Sequence, residues 1–460
     1  MERFIGRKKE LEYLNGLYAK PGIRACAIYG RRRVGKSSLI KELCRGKHTI
    51  HIQFVDSSET VNLDIIRAAV EDATGEDPGE FDNLFRALRR LAELCREERT
   101  ILVLDEFPFL TSGAKYIPSA VQHFIDVELE GTETFVIVCG SSVRAMRDEI
   151  EDPKRPLYGR FPMRMHIEPL SLAECRGFHP NMSDMDILKV YMAVGGIPYY
   201  HEMMDSNTFR ECVIKNFIAS PAPLLDEARA MIDRELSPPS THAAIISFLA
   251  RGTNSIKELA EKVGITEQLC GRYLREMEAV GMAERIHPMA GAPKHPLFRI
   301  RDNLIRFYYG AIEKRSSILS NDSADSSYEK IEHDIDSCLG HIFESICTEH
   351  IKQTMLCVEI GRWWGRAGGE EREIDIVAVI DERHHEVSLF CECKFRRRRA
   401  NLGTLNALRE TADHIKTLNN RRYVLFSAFG FDEDLKDYVE QYGQTAGIVL
   451  IGLGELYGDG

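Results

Sequence analysis

Residues Gly30 to Ser37 read GRRRVGKS, and this octapeptide constrains the chain more than any other segment. Its spacing is G-x-x-x-x-G-K-[ST], a loop that works only between a strand and a helix. Glycines let successive backbone N–H groups turn inward around a phosphate chain. The flanks comply: Arg24–Tyr29 is an apolar run of strand length, and Ser37 to Cys44 is a helical stretch whose N-terminus faces the loop. The spacing therefore predicts an ATP cradle made by Gly30, Arg31, Arg32, Arg33, Val34, Gly35, Lys36, Ser37 and Ser38. Lys36 adds positive charge at the outer phosphates, and the Ser37 hydroxyl is a ligand for Mg²⁺.

A second half of such a site stands at Thr100–Phe107, TILVLDEF. A buried strand ending in two acids places Asp105 to hold Mg²⁺ and Glu106 to orient or deprotonate the attacking water. Five strand candidates, Arg24–Tyr29, Thr49–Phe54, Thr100–Leu104, Thr134–Cys139 and Met163–Ile167, alternate with helical stretches. Residues 1–170 thus read as an α/β core. Gly140-Ser141-Ser142 follows the fourth strand, where Ser141 can sense the γ-phosphate. Arg155 and Arg160, in KRPLYGRFP, are arginine-finger candidates, and Gly195-Gly196-Ile197-Pro198 marks a break in a helical lid spanning 171–236.

Composition narrows the class. A net charge of −11 argues against a protein that coats nucleic acid, while leaving room for local basic patches. The 12 cysteines are scattered without a paired CxxC, which predicts reduced thiols rather than disulfides or a zinc site. No run of about 18 apolar residues occurs, so no membrane span is expected. The charged N-terminus MERFIGRKKELEYL lacks a signal peptide's apolar stretch, and a cytoplasmic location is expected.

SPPS at Ser237–Ser240 is a breaker and opens a third segment, 237–315. In SIKELAEKVGITEQLCGRYLREMEAVGMAERI, a helix begins at Ser255, Gly264-Ile265-Thr266 turns, and Glu267–Val280 is a second helix. A hairpin around Gly291-Ala292-Pro293 completes a winged helix-turn-helix. Its second helix carries Arg272 and Arg275 but also Glu267, Glu276 and Glu278, so contact with DNA and packing against protein stay equally open. The polar stretch Ser316–Ser327 separates this from a last α/β unit, 328–460.

That unit carries a second set of chemistry. Glu373–Val379 reads as a strand with alternating pattern, and Ser388–Phe395, SLFCECKF, as its neighbour. Side chains alternate along a strand, so Glu392 and Lys394 share a face while Cys391 and Cys393 point away. Asp375 and Glu392 from adjacent strands offer oxygen ligands to Mg²⁺, and Lys394 is placed to orient or help deprotonate a water attacking phosphorus. Phe343-Glu344-Ser345 lies on a helix. Arg396–Arg399 follows Lys394 after Phe395 and offers charge to backbone phosphates. Trp363 and Trp364 read as packing residues.

Two resemblances accompany these readings. FIGRKKEL, GRRRVGKS, LDEF, CGSS, PLYGR and GGIPYY together resemble the archaeal-type ATPases of the AAA+/STAND group over residues 1–235. The resemblance implies extra strands between the Walker A and Walker B strands, and a helical lid. It also implies that Phe4-Ile5-Gly6-Arg7 packs near the adenine, that Ser141 is sensor-like, and that Arg160 acts in trans within a homo-oligomer. The layout D-x(n)-E-x-K resembles the PD-(D/E)XK nucleases, and more narrowly the restriction-endonuclease-like domain often fused to such ATPases, over 330–460. It implies that Asp375 and Glu392 ligate metal, that Lys394 is the catalytic lysine, and that Glu344 is a carboxylate near the metal. The leading Pro is absent, Ile374 standing before Asp375.

Three functions compete. One is an ATPase coupled to a metal-dependent DNA nuclease, another an ATP-dependent switch binding DNA or protein through a catalytically silent nuclease fold. The third is an initiator-like DNA loader, against which the E-x-K unit argues.

Overall fold

The computed structural model describes residues 4–290, 297–315, 323–382 and 384–458. They form two compact units. One runs to Leu170 and takes back Ile197–Tyr199; the other comprises Ser171–Gly196 and everything from Tyr200 onward.

The first unit is a five-stranded sheet flanked by helices. Its strands are β1 (Arg24–Tyr29), β2 (Thr49–Gln53), β3 (Thr100–Asp105), β4 (Thr134–Gly140) and β5 (Met163–His166). They run in the order β2-β3-β4-β1-β5, every neighbouring pair parallel. Both faces of a parallel sheet are covered by crossover helices, so its inner strands must be apolar throughout. TILVLD in β3 and TFVIVCG in β4 are buried at every position, whereas the edge strands β2 and β5 alternate. Of the extra strands that the resemblance implied between the Walker A and Walker B strands, one, β4, stands between β1 and β3. Parallelism has a functional consequence: the residues after β1, β3 and β4 all emerge at one edge. That edge receives Gly30–Ser37, Glu106 and Ser141.

The second unit begins with helices, among them Asp184–Val194, Phe209–Val213 and Glu227–Glu235. Three more, Pro239–Ala250, Ile256–Val263 and Glu267–Ala279, lead into an antiparallel pair, β6 (Ala283–Ile286) and β7 (Leu297–Ile300). Ser255 and Thr266 cap the second and third of these helices, and Gly264 takes the left-handed turn between them (φ 78°). The expected hairpin tip at Gly291-Ala292-Pro293 lies outside the described residues. The polar stretch from Ser316 lies largely outside them too; its end, Ser323, caps the 31-residue helix Ala324–Thr354.

This long helix packs on a second five-stranded sheet made of β8 (Cys357–Ala367), β9 (Glu370–Glu382), β10 (His385–Lys394), β11 (Arg421–Ser427) and β12 (Ile448–Ile451). The order is β12-β11-β10-β9-β8, with β8, β9 and β10 antiparallel and β10, β11 and β12 parallel. Trp363, Ile374, Val377, Phe390, Leu405 and Leu408 build the core on one side of it. The strict alternation expected along Glu373–Val379 is broken. Gly361 pairs with Val377 and Trp363 with Ile374, so two residues of β9, Asp375 and Ile376, oppose the single Arg362. The bulge keeps Ile374 and Val377 in the same core and re-aims Asp375.

The winged-helix segment after β6 adds to the free edge of β8. The Arg362 N–H donates to the His287 carbonyl at 2.9 Å, and the Met289 N–H donates to the Arg362 carbonyl at 2.9 Å. Glycine is needed beside this seam: a Cβ on Gly361 would lie 2.3 Å from the His287 oxygen. Among the described residues no helix is long and apolar enough to cross a membrane.

Candidate functional sites

At the carboxyl edge of the first sheet, the loop Gly30–Gly35 leads into the helix Lys36–Cys44, with Gly35 as its N-cap at φ 96°. Arg33 also adopts a left-handed backbone (φ 65°), and its guanidinium lies 4.3 Å from the centre of the Tyr199 ring. Lys36 is buried; its ammonium donates to the carbonyls of Gly30 at 2.8 Å and Arg31 at 2.9 Å. Burial pulls its pKa down, while the thiol of Cys139 and the acids Glu106 and Asp105 oppose that.

Asp105 and Glu106 close the other side. Burial pushes the Asp105 carboxyl up, but hydrogen bonds with His51, Cys139 and the Glu106 N–H more than offset this and hold it below the usual range. The Glu106 N–H donates to Asp105 Oδ1 at 2.9 Å, and His51 Nε2 lies 3.6 Å from Asp105 Oδ2. Glu106 has a left-handed backbone (φ 49°), and its Oε2 accepts from the Ser141 hydroxyl at 3.1 Å and the Ser141 N–H at 3.4 Å. Ser141 therefore engages the acid expected to handle water. Ser37 and Asp105 supply hydroxyl and carboxylate oxygens, a donor set that suits Mg²⁺.

Arg7 donates to the Val34 carbonyl at 3.2 Å and also to the Glu168 carbonyl, tying the Phe4–Arg7 segment to the loop. Arg160 goes elsewhere. It precedes β5, whose first residue Met163 is paired with Cys26 near the start of β1, so it lies at the amino edge of the sheet, away from its own P-loop. There it binds Asp126 at 3.1 Å and donates to the Tyr158 carbonyl at 3.0 Å. Sequence reasoning missed His51 and Tyr199, because nothing local says that β2 flanks β3 or that Tyr199 returns to the loop.

The second cluster lies in the C-terminal sheet. Asp375, at the bulge of β9, accepts from the Cys393 N–H at 2.9 Å. Glu392 and Lys394, two residues apart on β10, form a direct ion pair. Glu344 reaches in from the long helix. Burial and then the charges of Glu392 and Glu344 push the Asp375 carboxyl up to about 7. Crowded carboxylates of this kind repel one another, and that is the chemistry that suits a cation. Among the described residues, however, no three His, Cys, Asp or Glu side chains converge as a metal centre. Beside Lys394 stands a second cation, Arg362, which no local pattern marks. Its guanidinium lies 3.0 Å from Glu373, 3.5 Å from Glu344 and 3.7 Å from Asp375. Burial pushes Glu344 up, but its hydrogen bond with His341 and the charge of Arg362 hold it below the usual carboxylate range.

The four arginines after Lys394 are all exposed, but two are engaged: Arg397 with Glu332 at 3.0 Å and Asp336 at 3.5 Å, Arg399 with Glu433 at 3.9 Å. Trp363 is buried in the core and packs. On the winged helix, Glu267–Ala279 buries Cys270, Tyr273, Leu274 and Met277 and exposes Gln268, Arg272 and Arg275. Arg272 pairs with Glu276 at 3.4 Å, so the outer face is mixed in charge.

Comparison with known proteins gives three family matches. Residues 4–204 match an ATPase domain found predominantly in Archaea, 240–282 a winged helix-turn-helix described as DNA-binding, and 308–405 a domain of archaeal and bacterial proteins of unknown function. The last match spans Glu344, Arg362, Asp375, Glu392 and Lys394. The chain is 28% identical to the uncharacterised protein MJECL04 of Methanocaldococcus jannaschii, over 85% of this chain and 88% of that one. It is 30% identical to MJ0424 of the same organism over 21% of this chain and 96% of that one. It is also 43% identical to that organism's uncharacterised ATP-binding protein MJ0423, over 10% of this chain and 75% of that one. Among solved structures it is similar to the Walker-type ATPase PABY2304 of Pyrococcus abyssi, at 18% identity and a TM-score of 0.49 over 66% of this chain and 96% of that one.

Proposed function

The chain belongs to the family of these archaeal proteins and carries an archaeal-type ATPase domain with a winged helix-turn-helix, and from that premise we propose that it hydrolyses ATP to govern a metal-dependent, DNA-directed nuclease site. The observation that carries the first half is the meeting of Lys36, Asp105, Glu106 and Ser141 at the carboxyl ends of β1, β3 and β4. Backbone N–H groups of Gly30–Ser38 bind the phosphates, Lys36 leaves its carbonyl partners for the outer phosphates, and Ser37 and Asp105 hold Mg²⁺. Bound there, the metal neutralises charge on the transferred phosphate. Glu106, once released by Ser141, orients the attacking water. Arg160 has its place in a neighbouring copy's site, because it stands at the wrong edge for its own. Lys36→Ala is expected to abolish ATP binding, measured by calorimetry, and Glu106→Gln to keep binding while slowing hydrolysis by about 10²- to 10⁴-fold, the range for a positioned acid–base group. Unchanged affinity in Lys36→Ala would refute the assignment.

The second half rests on Asp375, Glu392 and Lys394, with Glu344 behind them, in a segment read as restriction-endonuclease-like at 328–460, beyond the core at 1–170, the lid at 171–236 and the winged helix at 237–315. Asp375 and Glu392 would hold Mg²⁺, which polarises a phosphodiester and lowers the pKa of a bound water. Lys394, paired with Glu392, orients the water that attacks the scissile phosphate and helps deprotonate it. Exposed Arg396 and Arg398 supply charge for the DNA backbone. With Mg²⁺ or Mn²⁺, the full chain is expected to cleave DNA, and Glu392→Ala to lose more than about 10²-fold of that rate, because removing a ligand costs more than the roughly 10–100-fold lost with a residue that only supports one. Cleavage that persists in Glu392→Ala removes this half.

One observation favours a second reading, an ATP-dependent binding switch with a silent nuclease fold: Arg362 already neutralises part of the acidic cluster. It expects ATP-dependent DNA binding and no strand scission with any metal.

A further inference from the structure

Arg362 joins two parts of the chain that the sequence keeps apart. Its backbone is a rung of the seam between β8 and the winged-helix segment His287–Met289, with both its N–H and its carbonyl engaged at 2.9 Å. Its side chain, three-quarters buried, points the other way into the carboxylates Glu344, Glu373 and Asp375. A second arginine from the winged-helix side acts on the same helix turn. Arg306 donates to the His341 carbonyl at 3.0 Å and the Ser345 hydroxyl at 3.3 Å, bracketing Glu344. The bulge that re-aims Asp375 sits opposite Arg362 itself.

We infer that Arg362 is a built-in counter-ion that competes with a divalent cation for Asp375 and Glu344, and that the winged-helix seam holds it there. The inference rests on the reading of Asp375 and Glu392 as a metal site. A guanidinium within 4 Å of two of the acids does part of what a metal ion would do, and a metal placed beside it meets a like charge in a half-buried site. Arg362 cannot leave by side-chain rotation alone without stranding the largely buried Glu344. It leaves when the strand edge moves, and that edge is fastened by His287 and Met289. A ligand that pulls on the winged helix therefore acts on cation access to the acidic cluster. Arg362 is a positioning residue: it sets what the acids can bind.

The test uses the full chain without nucleotide and reads Mn²⁺ uptake by electron paramagnetic resonance, counting only the uptake that Glu392→Ala removes. Arg362→Met is expected to tighten that Mn²⁺ binding at least about tenfold, the effect of removing one like charge at this range. Arg362→Lys keeps the charge and is expected to stay within about threefold of the unsubstituted chain, whereas a purely structural role would make Lys and Met fail alike. Gly361→Val, whose added carbon collides with the His287 carbonyl, is expected to open the seam and to tighten binding in the same direction as Arg362→Met. If Mn²⁺ is bound and lost in Glu392→Ala but Arg362→Met binds it no more tightly, the counter-ion role is wrong and the metal-site reading stands. If neither the unsubstituted chain nor Arg362→Met takes up any Mn²⁺ that Glu392→Ala removes, the site reading itself fails. Tightening in Arg362→Met without any change in Gly361→Val overturns the part given to the seam.

Discussion

At the scale of single residues, two glycines show how far a motif can be trusted. Gly30 opens the phosphate loop, and its role there is legible from spacing alone. Its tertiary duty is not: a Cβ would lie 2.4 Å from the Ile167 carbonyl, which belongs to the chain just after β5 and follows Tyr29 through an N–H···O bond of 2.7 Å. Gly30→Ala must therefore push backbone against backbone. It is expected to lower the melting temperature and weaken ATP binding by roughly tenfold or more, since a clash of this kind costs at least about 1–3 kcal/mol. Gly16 is the counter-example. It lies within the helix Lys8–Tyr18 and a Cβ there meets nothing within 4 Å. Gly16→Ala is expected to raise stability by about 0.5–1 kcal/mol. Thermal melts of both variants with and without ATP check the pair; equal effects of the two substitutions would contradict this account. The same contrast holds at the acids. Asp105 and Glu106 could be found by their place at the end of an apolar strand, while Arg362 could not, because an arginine in GRWWGR carries no local mark of the carboxylates it meets.

At the scale of elements, periodicity located the five strands of the first sheet and the two helices of the helix-turn-helix to within a residue or two, since burial on one face repeats at a fixed interval, while β9 and β10 begin three residues before the strands expected there. What it could not give was their irregularities. The bulge at Asp375 and the seam at Gly361 depend on partners far along the chain. The helix Asp184–Val194 does stop at the expected break, Gly195 (φ 68°), but the histidines that hold this end carried no sequence mark. The Gly195 carbonyl can only accept, so the hydrogen at 2.7 Å belongs to His201 Nε2. In the neutral ring His201 Nδ1 then accepts, and His179 Nε2 donates to it at 2.8 Å. Burial pulls His179 down to about 4 and His201 to about 3, the latter also through its neighbour. Both folded values lie below the ordinary 6.5, so the unfolded chain binds more protons in this window. Stability is present above pH 6.5 and is lost as pH falls from there towards 4, at up to about 1.4 kcal/mol per proton per pH unit. A melting series over that range is expected to decline less steeply in His179→Phe/His201→Leu than in the unsubstituted chain. Parallel declines would show that the pair does not hold this turn.

At the scale of the whole molecule, the chain carries two polar centres about 340 residues apart in sequence, Lys36 with Asp105 and Glu106, and Asp375 with Glu392 and Lys394. By itself the sequence determined that there is a phosphate loop between a strand and a helix, an acid-tipped strand to accompany it, a helix-turn-helix, and two acids with a lysine on neighbouring strands. Each of these is a matter of local backbone chemistry or side-chain alternation, settled within a short stretch of chain. Only the tertiary structure decided the strand order β2-β3-β4-β1-β5, which brings Ser141 onto Glu106 and sends Arg160 to the opposite edge. It alone decided that the winged helix lends an edge to the last sheet and that Arg362 stands among the acids there. The physical reason is the same in each case. Strand order, bulges and buried ion pairs are fixed by which distant surfaces exclude water from one another, and that choice is made by the folded chain as a whole.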